Sequence, residues 1–291
     1  MAAAMGHQAK LGMAASSPAT EAYDFISESL ALTETLVDTS GFIGSRSHPS
    51  ERVRQGTRFV QGSIVMHPSP LELDTLLPRI LGTAESADVF AVAETIPSFF
   101  VTINRDIKVP SYSGCYVNRA TFRGSEGLPL ELTLDILGTD ETVGAAGSFP
   151  AISISNATVP YMFHELVTVV NSVTYSVKSW ELTVDNALES QFFNSQTPTR
   201  FNATDRIVSM SLQLPYGDAT AAYGLTVTGV AVTATFTNGT VSILFSTPKV
   251  SFPRESATVA SNRGELFLVI NGIARKSGST AEITVTSDST V

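Results

Sequence analysis

Short stretches of strict alternation between apolar and polar residues recur along the chain. Leu130-Glu-Leu-Thr-Leu-Asp-Ile136 puts its aliphatic residues on one side and Glu131, Thr133 and Asp135 on the other, as a half-buried strand requires. Trp180-Glu-Leu-Thr-Val-Asp185 repeats the arrangement with Glu181, Thr183 and Asp185. Segments 57–66, 207–214 and 265–270 read as further strands. Segments 230–237 and 240–245 flank Asn238-Gly239, the pair that best supplies the two positive φ angles of a type I′ hairpin turn.

One helix is predicted, over about 69–81. Ser69 serves as N-cap, Pro70 fits the first helical position, and Glu72 completes a capping box. Leu73, Leu76, Leu77, Ile80 and Leu81 then form one apolar stripe, and Gly82 is a C-terminal stop. Pro78 lies inside the stripe and predicts a kink or an early end. Segment 20–37 has a mixed pattern that suits a short helix or a strand. Residues 1–20, rich in Ala, Gly, Ser and Met without a period, are expected to be a flexible arm. Residues 40–56 read as a long charged loop carrying Arg46, Arg52 and Arg54. The fold class that follows is mainly β: an antiparallel β-sandwich or barrel with one flanking α-helix, forming a single domain over 21–291.

Composition sharpens this picture. The chain has 291 residues, 43% hydrophobic and only 15% charged, against about 25% charged in ordinary soluble domains. So low a charged share implies large buried surface, in the core or between subunits. The net charge of −9 rules against binding phosphate backbones by counterion release, while a negative wall gives a passing polyanion nothing to adhere to. Cys115 is the single cysteine, so neither an intrachain disulfide nor a thiolate zinc cluster is expected. No apolar run approaches the roughly 20 residues of a membrane span, and the N-terminus lacks the apolar stretch of a secretory signal, so no membrane partner is expected and synthesis in a reducing cytoplasm is.

Candidate chemistry is sparse. The four histidines have no metal-ligand spacing, and neither a nucleophile elbow nor a phosphate loop occurs. Asp135, Asp140 and Glu141 are split between a strand and a turn and read as solvated charges rather than a catalytic pair. No catalytic residue, metal ligand or cofactor is assigned, which points away from an enzyme. A carbohydrate-binding or adhesin sandwich would display exposed aromatics, whereas Trp180 alternates with polar residues and is expected in the core. Glu131-Leu-Thr-Leu-Asp135 and Glu181-Leu-Thr-Val-Asp185 match closely enough to hint at an internal duplication.

Several stretches together resemble a family of phage tail tube proteins of long-tailed phages. They include Asp38-Thr-Ser-Gly-Phe-Ile-Gly-Ser-Arg46, Gly62-Ser-Ile-Val-Met-His-Pro-Ser-Pro70, the run from Gly114 through Arg119-Ala-Thr-Phe-Arg123 to Asp135, Trp180-Glu-Leu-Thr-Val-Asp-Asn186, Arg206-Ile-Val-Ser-Met-Ser-Leu212 and Arg275-Lys-Ser-Gly-Ser-Thr280. The resemblance spans about 38–288 and rests on the order and spacing of the set. It implies a subunit that assembles with itself into stacked hexameric rings, a hollow tube through which double-stranded DNA passes, and tail partners such as tape measure, terminator and distal tail proteins, all within the virion. A phage head or decoration protein is the nearest alternative. In such a barrel Glu131, Thr133, Asp135, Glu181, Thr183 and Asp185 face either the lumen or outer solvent, which period two alone leaves open. Arg46, Arg52 and Arg54 are candidates for contacts between rings.

Overall fold

A computed structural model describes residues 5–42, 44, 46–154, 158–217, 229–253 and 265–289. Its first half holds β1 (Lys10–Ala14), β2 (Glu21–Tyr23), β3 (Ser27–Glu28), β4 (Ala31–Asp38), β5 (Val53–Met66), α1 (Pro70–Leu81), β6 (Val89–Ala91), β7 (Phe99–Asn104), β8 (Lys108–Ser125), β9 (Glu131–Gly138) and β10 (Asp140–Ala145). The second half holds β11 (Leu166–Val170), β12 (Val173–Tyr175), β13 (Ser179–Asp185), β14 (Leu188–Gln191), β15 (Arg200–Ala203), β16 (Ile207–Pro215), β17 (Val230–Asn238), β18 (Val241–Ser251), β19 (Phe267–Ala274) and β20 (Thr284–Asp288). The ladders are antiparallel, so the chain is mainly β, with a single α-helix among the described residues.

The helix forms where its signals place it. Ser69 accepts from the Glu72 amide while the Glu72 carboxylate accepts from the Ser69 amide, and Gly82 closes the helix at φ 92°. Of the kink or early end expected at Pro78, the early end does not occur: the helix runs through it to Leu81. Pro78 removes one amide near the C-terminus, and the Gly82 amide still bonds the Pro78 carbonyl to finish the last turn. A hairpin joins β17 to β18 where Asn238-Gly239 places it, but its turn residues are Gly239 and Thr240. Asn238 ends β17 paired with Val241, and Gly239 alone has a positive φ, 63°, so the expected type I′ turn does not form.

Two expectations for the N-terminal third are corrected. Residues 10–14, expected within a flexible arm, form β1, paired to β2 on one side and β7 on the other, with Leu11, Met13 and Ala14 buried. The small residues there serve close packing. A Cβ on Gly12 would come within 2.8 Å of Ile152 and 2.9 Å of Ala19. The loop expected over 40–56 is shorter, because Asp38 pairs with Val53 and Val37 with Arg54, so Arg54 stands on a strand. Residues 20–37 resolve into strands rather than a helix.

The two halves repeat one topology. In the first, ladders join β2–β1–β7–β8–β10 and β8–β9–β5, with β3 and β4 on the far edge of β5. In the second, they join β12–β11–β17–β18–β20 and β18–β19–β16–β13. The registers correspond as well. Leu11↔Tyr23 matches Thr168↔Tyr175, Ser27↔Val65 matches Ser179↔Gln213, and Gln61↔Leu137 matches Ser209↔Ile273. Phe99↔Cys115 matches Val230↔Val250, each followed by a bulge at the same step. Identical residues mark the repeat: Tyr23 and Tyr175, Ser27 and Ser179, Leu30 and Leu182, Arg58 and Arg206, Val60 and Val208, Ser63 and Ser211. The duplication is real, but the two acidic strands that hinted at it are not its equivalents: β9 corresponds to β19, and β13 to β3 and β4.

The two units meet where β13 adds to the C-terminal half of β8, from Ser179↔Ser125 to Asp185↔Arg119. The inner faces of these strands pack on β17 and β18. Trp180 is fully buried as expected, its ring 5.6 Å from Phe236 and 5.3 Å from Phe245, and Phe122 lies 5.0 Å from Phe245. Truncation at this point removes the aromatic centre of both units' contact. Trp180→Ala is expected to destabilise the chain by about 3–5 kcal/mol, read from denaturant unfolding of unassembled protein.

Candidate functional site

The central sheet runs β4–β5–β9–β8–β13–β16–β19. Alternation buries one face, including Leu132, Leu134, Ala120, Phe122, Leu182 and Val184, and leaves the other open. All six predicted residues, Glu131, Thr133, Asp135, Glu181, Thr183 and Asp185, stand on that open face, and the fold brings them together. They are not on adjacent strands. β8 lies between, and its own polar face is Arg119, Thr121 and Arg123.

Three cross-strand rows result. Glu131 and Glu181 flank Arg123, Thr133 and Thr183 flank Thr121, and Asp135 and Asp185 flank Arg119. Arg123 donates to the Glu181 Oε2 atom from Nε at 3.0 Å and Nη2 at 2.6 Å. Arg119 donates to the Asp185 Oδ2 atom from Nε at 3.0 Å and Nη2 at 2.7 Å. Thr121 and Thr183 share a hydroxyl hydrogen bond of 3.3 Å. The hydrogen bonds they donate to Asp185 and Glu181 hold the two guanidiniums above their ordinary pKa, and Asp135 and Glu131 add more distant attraction. These bridges are solvent-exposed, so each is worth about 0–1 kcal/mol; together they fix register along the seam between the units.

The arginines change the electrostatic expectation. Four carboxylates face two guanidiniums, leaving two net negative charges on the seam rather than an unbroken acidic row. Farther along the same face, β16 presents Ser209 and Ser211 and β19 presents Val269, Asn271 and Ile273, none of them charged. The sequence reading missed Arg119 and Arg123 as part of the site. Their signal was available, because Arg119-Ala-Thr-Phe-Arg123 is the basic counterpart, at the same period, of Glu-x-Thr-x-Asp.

Arg46, Arg52 and Arg54 lie apart from this face, on or near the hairpin formed by β4 and β5. All three are exposed, and among the described residues none has an ion-pair partner. The hairpin also exposes apolar side chains, with Leu36, Val37 and Val53 bare on its strands and Phe42 wholly exposed at its end. Cys115 is buried against Gly138, and burial pushes its thiol up to about 12, as suits a packing residue. Among the described residues no group of three or more His, Cys, Asp or Glu is placed to hold a metal ion. No helix among the described residues is long and apolar enough to cross a membrane.

An antiparallel unit present in two copies, with a strand edge free among the described residues, a projecting hairpin and a charge-stitched open face, defines a structural β-protein suited to assembly. The chain belongs to the phage tail tube protein family, whose model matches residues 6–286. The family is structural, and membership implies a place in the tail of a phage particle, in assembly with itself and with other tail proteins. No curated protein matches the chain.

Proposed function

We propose that the chain forms stacked rings, six-membered as the family resemblance implies, which build a hollow tail tube conducting double-stranded DNA during ejection. The observation that carries this is the central sheet. One face is packed, the other is open and polar across β9, β8 and β13, turning more apolar at Ile207, Val269 and Ile273 on β16 and β19, and its β4 edge has β5 as the single neighbouring strand among the described residues. Closing such sheets into a barrel through neighbouring copies removes free edges. The open face then lines the lumen, with Glu131, Asp135, Glu181 and Asp185 repeated around it. A wall that is weakly negative and hydroxyl-rich offers a duplex no basic site, which favours sliding over binding.

Arg46, Arg52 and Arg54 are assigned to contacts with carboxylates of the adjacent ring, where guanidinium–carboxylate pairing supplies geometric specificity. Tape measure, terminator and distal tail proteins are the partners at the tube's interior and ends. Purified protein should sediment as rings or tubes in sedimentation velocity. A single species near the 30.9 kDa of the chain, persisting at high concentration in every salt condition, would remove the proposal.

A further inference from the structure

Within the chain, the second unit already docks on the first through a hairpin. The β14–β15 hairpin lies between Asp185 and Arg206, and the β4–β5 hairpin lies between the equivalent positions Thr33 and Arg58. The tip of the β14–β15 hairpin packs on the base of β5. The Gln196 carbonyl accepts from the Arg58 amide at 2.8 Å, the Gln196 side chain donates to the Gln55 carbonyl at 3.3 Å, and Phe192 meets Phe59 edge-on with ring centroids 6.1 Å apart. Beneath this contact Arg58 pairs with Asp140 at 3.1 Å.

The second unit carries the same seat. Arg206 pairs with Glu282 at 3.1 Å, and these two residues occupy the places of Arg58 and Asp140. Ile207 stands where Phe59 stands, yet it is 41% exposed, while Phe59 is half-buried under Phe192. Next to it opens a cleft of about 650 Å³ lined by Thr204, Asp205, Arg206, Arg275 and Glu282. So the first unit's seat is covered by the chain's own hairpin, while in the second unit Ile207 is left bare beside the cleft. There the Arg206 amide donates to the Asp205 carboxylate and the Arg206 guanidinium to the Ala93 carbonyl, so what remains open is the apolar part of the seat. Conversely, the β4–β5 hairpin, equivalent to the one that fills a seat, extends with Leu36 72% exposed and Phe42 fully exposed.

We infer that the β4–β5 hairpin of one copy docks on the Arg206–Ile207–Glu282 seat of a second copy, repeating between chains the junction that β14–β15 makes within one. This deepens the tube reading and rests on it. The contact is heterologous, head to tail, and such contacts close into rings. It also brings the β3–β4 edge, equivalent to β13, toward the neighbour's sheet, as β13 is brought to β8 inside the chain. The apolar positions of the hairpin take this lateral contact, and its arginines remain for the adjacent ring.

The test uses two full-length variants, Ile207→Asp in the seat and Phe42→Asp on the hairpin, each checked for native circular dichroism. Both residues are exposed, so both variants should fold. By sedimentation velocity the unaltered chain should form rings and each variant alone should run as a single chain. Their equimolar mixture should give a one-to-one dimer and no larger ring, since one intact hairpin and one intact seat remain. Ring formation by either variant alone, or a mixture that stays at single-chain mass, overturns the inference while the unaltered chain's rings keep the tube reading standing. Absence of rings from the unaltered chain fails the tube reading itself and takes the inference with it.

Discussion

Particles whose tube carries Glu131→Lys together with Asp135→Lys should keep their tails and stall in DNA delivery. These two carboxylates are chosen because Arg123 and Arg119 hydrogen-bond to Glu181 and Asp185 instead, so both ion pairs of the seam survive the change. Each reversal adds two positive charges, which takes the seam of one copy from −2 to +2. Repeated along a tube, the new lysines release counterions from the passing duplex. A stretch making six to ten phosphate contacts would bind with an affinity that falls by about 10³-fold or more between 50 and 200 mM salt. Ejection should therefore slow by at least about tenfold at low salt and recover as salt rises, because screening shortens the reach of each lysine. Ejection timed by a DNA-binding dye would show this. A normal rate at low salt from fully tailed particles would mean that β9 does not line the conduit.

Removal of residues 41–50 should leave a folded chain that forms no tubes. The boundaries follow from the pairing of Asp38 with Val53, which keeps the β4–β5 ladder intact and removes the tip with Phe42 and Arg46. No described residue of this segment belongs to the buried core, so far-UV circular dichroism and thermal midpoint should match the full chain. Assembly, followed by pelleting, should be lost. A milder change, Arg46→Ala with Arg52→Ala and Arg54→Ala, should weaken stacking in a salt-dependent way, since exposed ion pairs are screened. Tubes of normal length from the deleted chain would remove the hairpin from the assembly.

The parts of the fold that were legible in the sequence are those written locally. The capping box at Ser69 and Glu72, the place of the hairpin at Asn238-Gly239 and the alternating strands β9, β13 and β16 each carry their signal within a few residues. What escaped depends on distant partners. β1 is strand only because β2 and β7 cover both of its edges, and its small residues, needed for close approach, look locally like a mobile tail. The first residues of β5 look like loop because they are exposed, and are held by pairing with β4 and by the contact of Gln196 with Gln55. Pro78 was overridden by the packing of α1, whose Leu76, Leu77, Ile80 and Leu81 are all buried. The acidic face was found and its arginines were not, since no local rule places β8 between β9 and β13. The repeat was hinted at by the wrong pair of strands: its true equivalents share residues such as Arg58 and Arg206 scattered among unlike neighbours, and only the ladder registers align them.

The most direct test of the central claim is a cryo-electron microscopy reconstruction of tubes grown from the purified chain. The account predicts a hollow β-barrel wall in which Glu131, Thr133, Asp135, Glu181, Thr183 and Asp185 project into the lumen, with the α1 side outward. A tube whose inner wall is built from any other face, with the Arg119 and Arg123 seam turned to the outer surface, would contradict it.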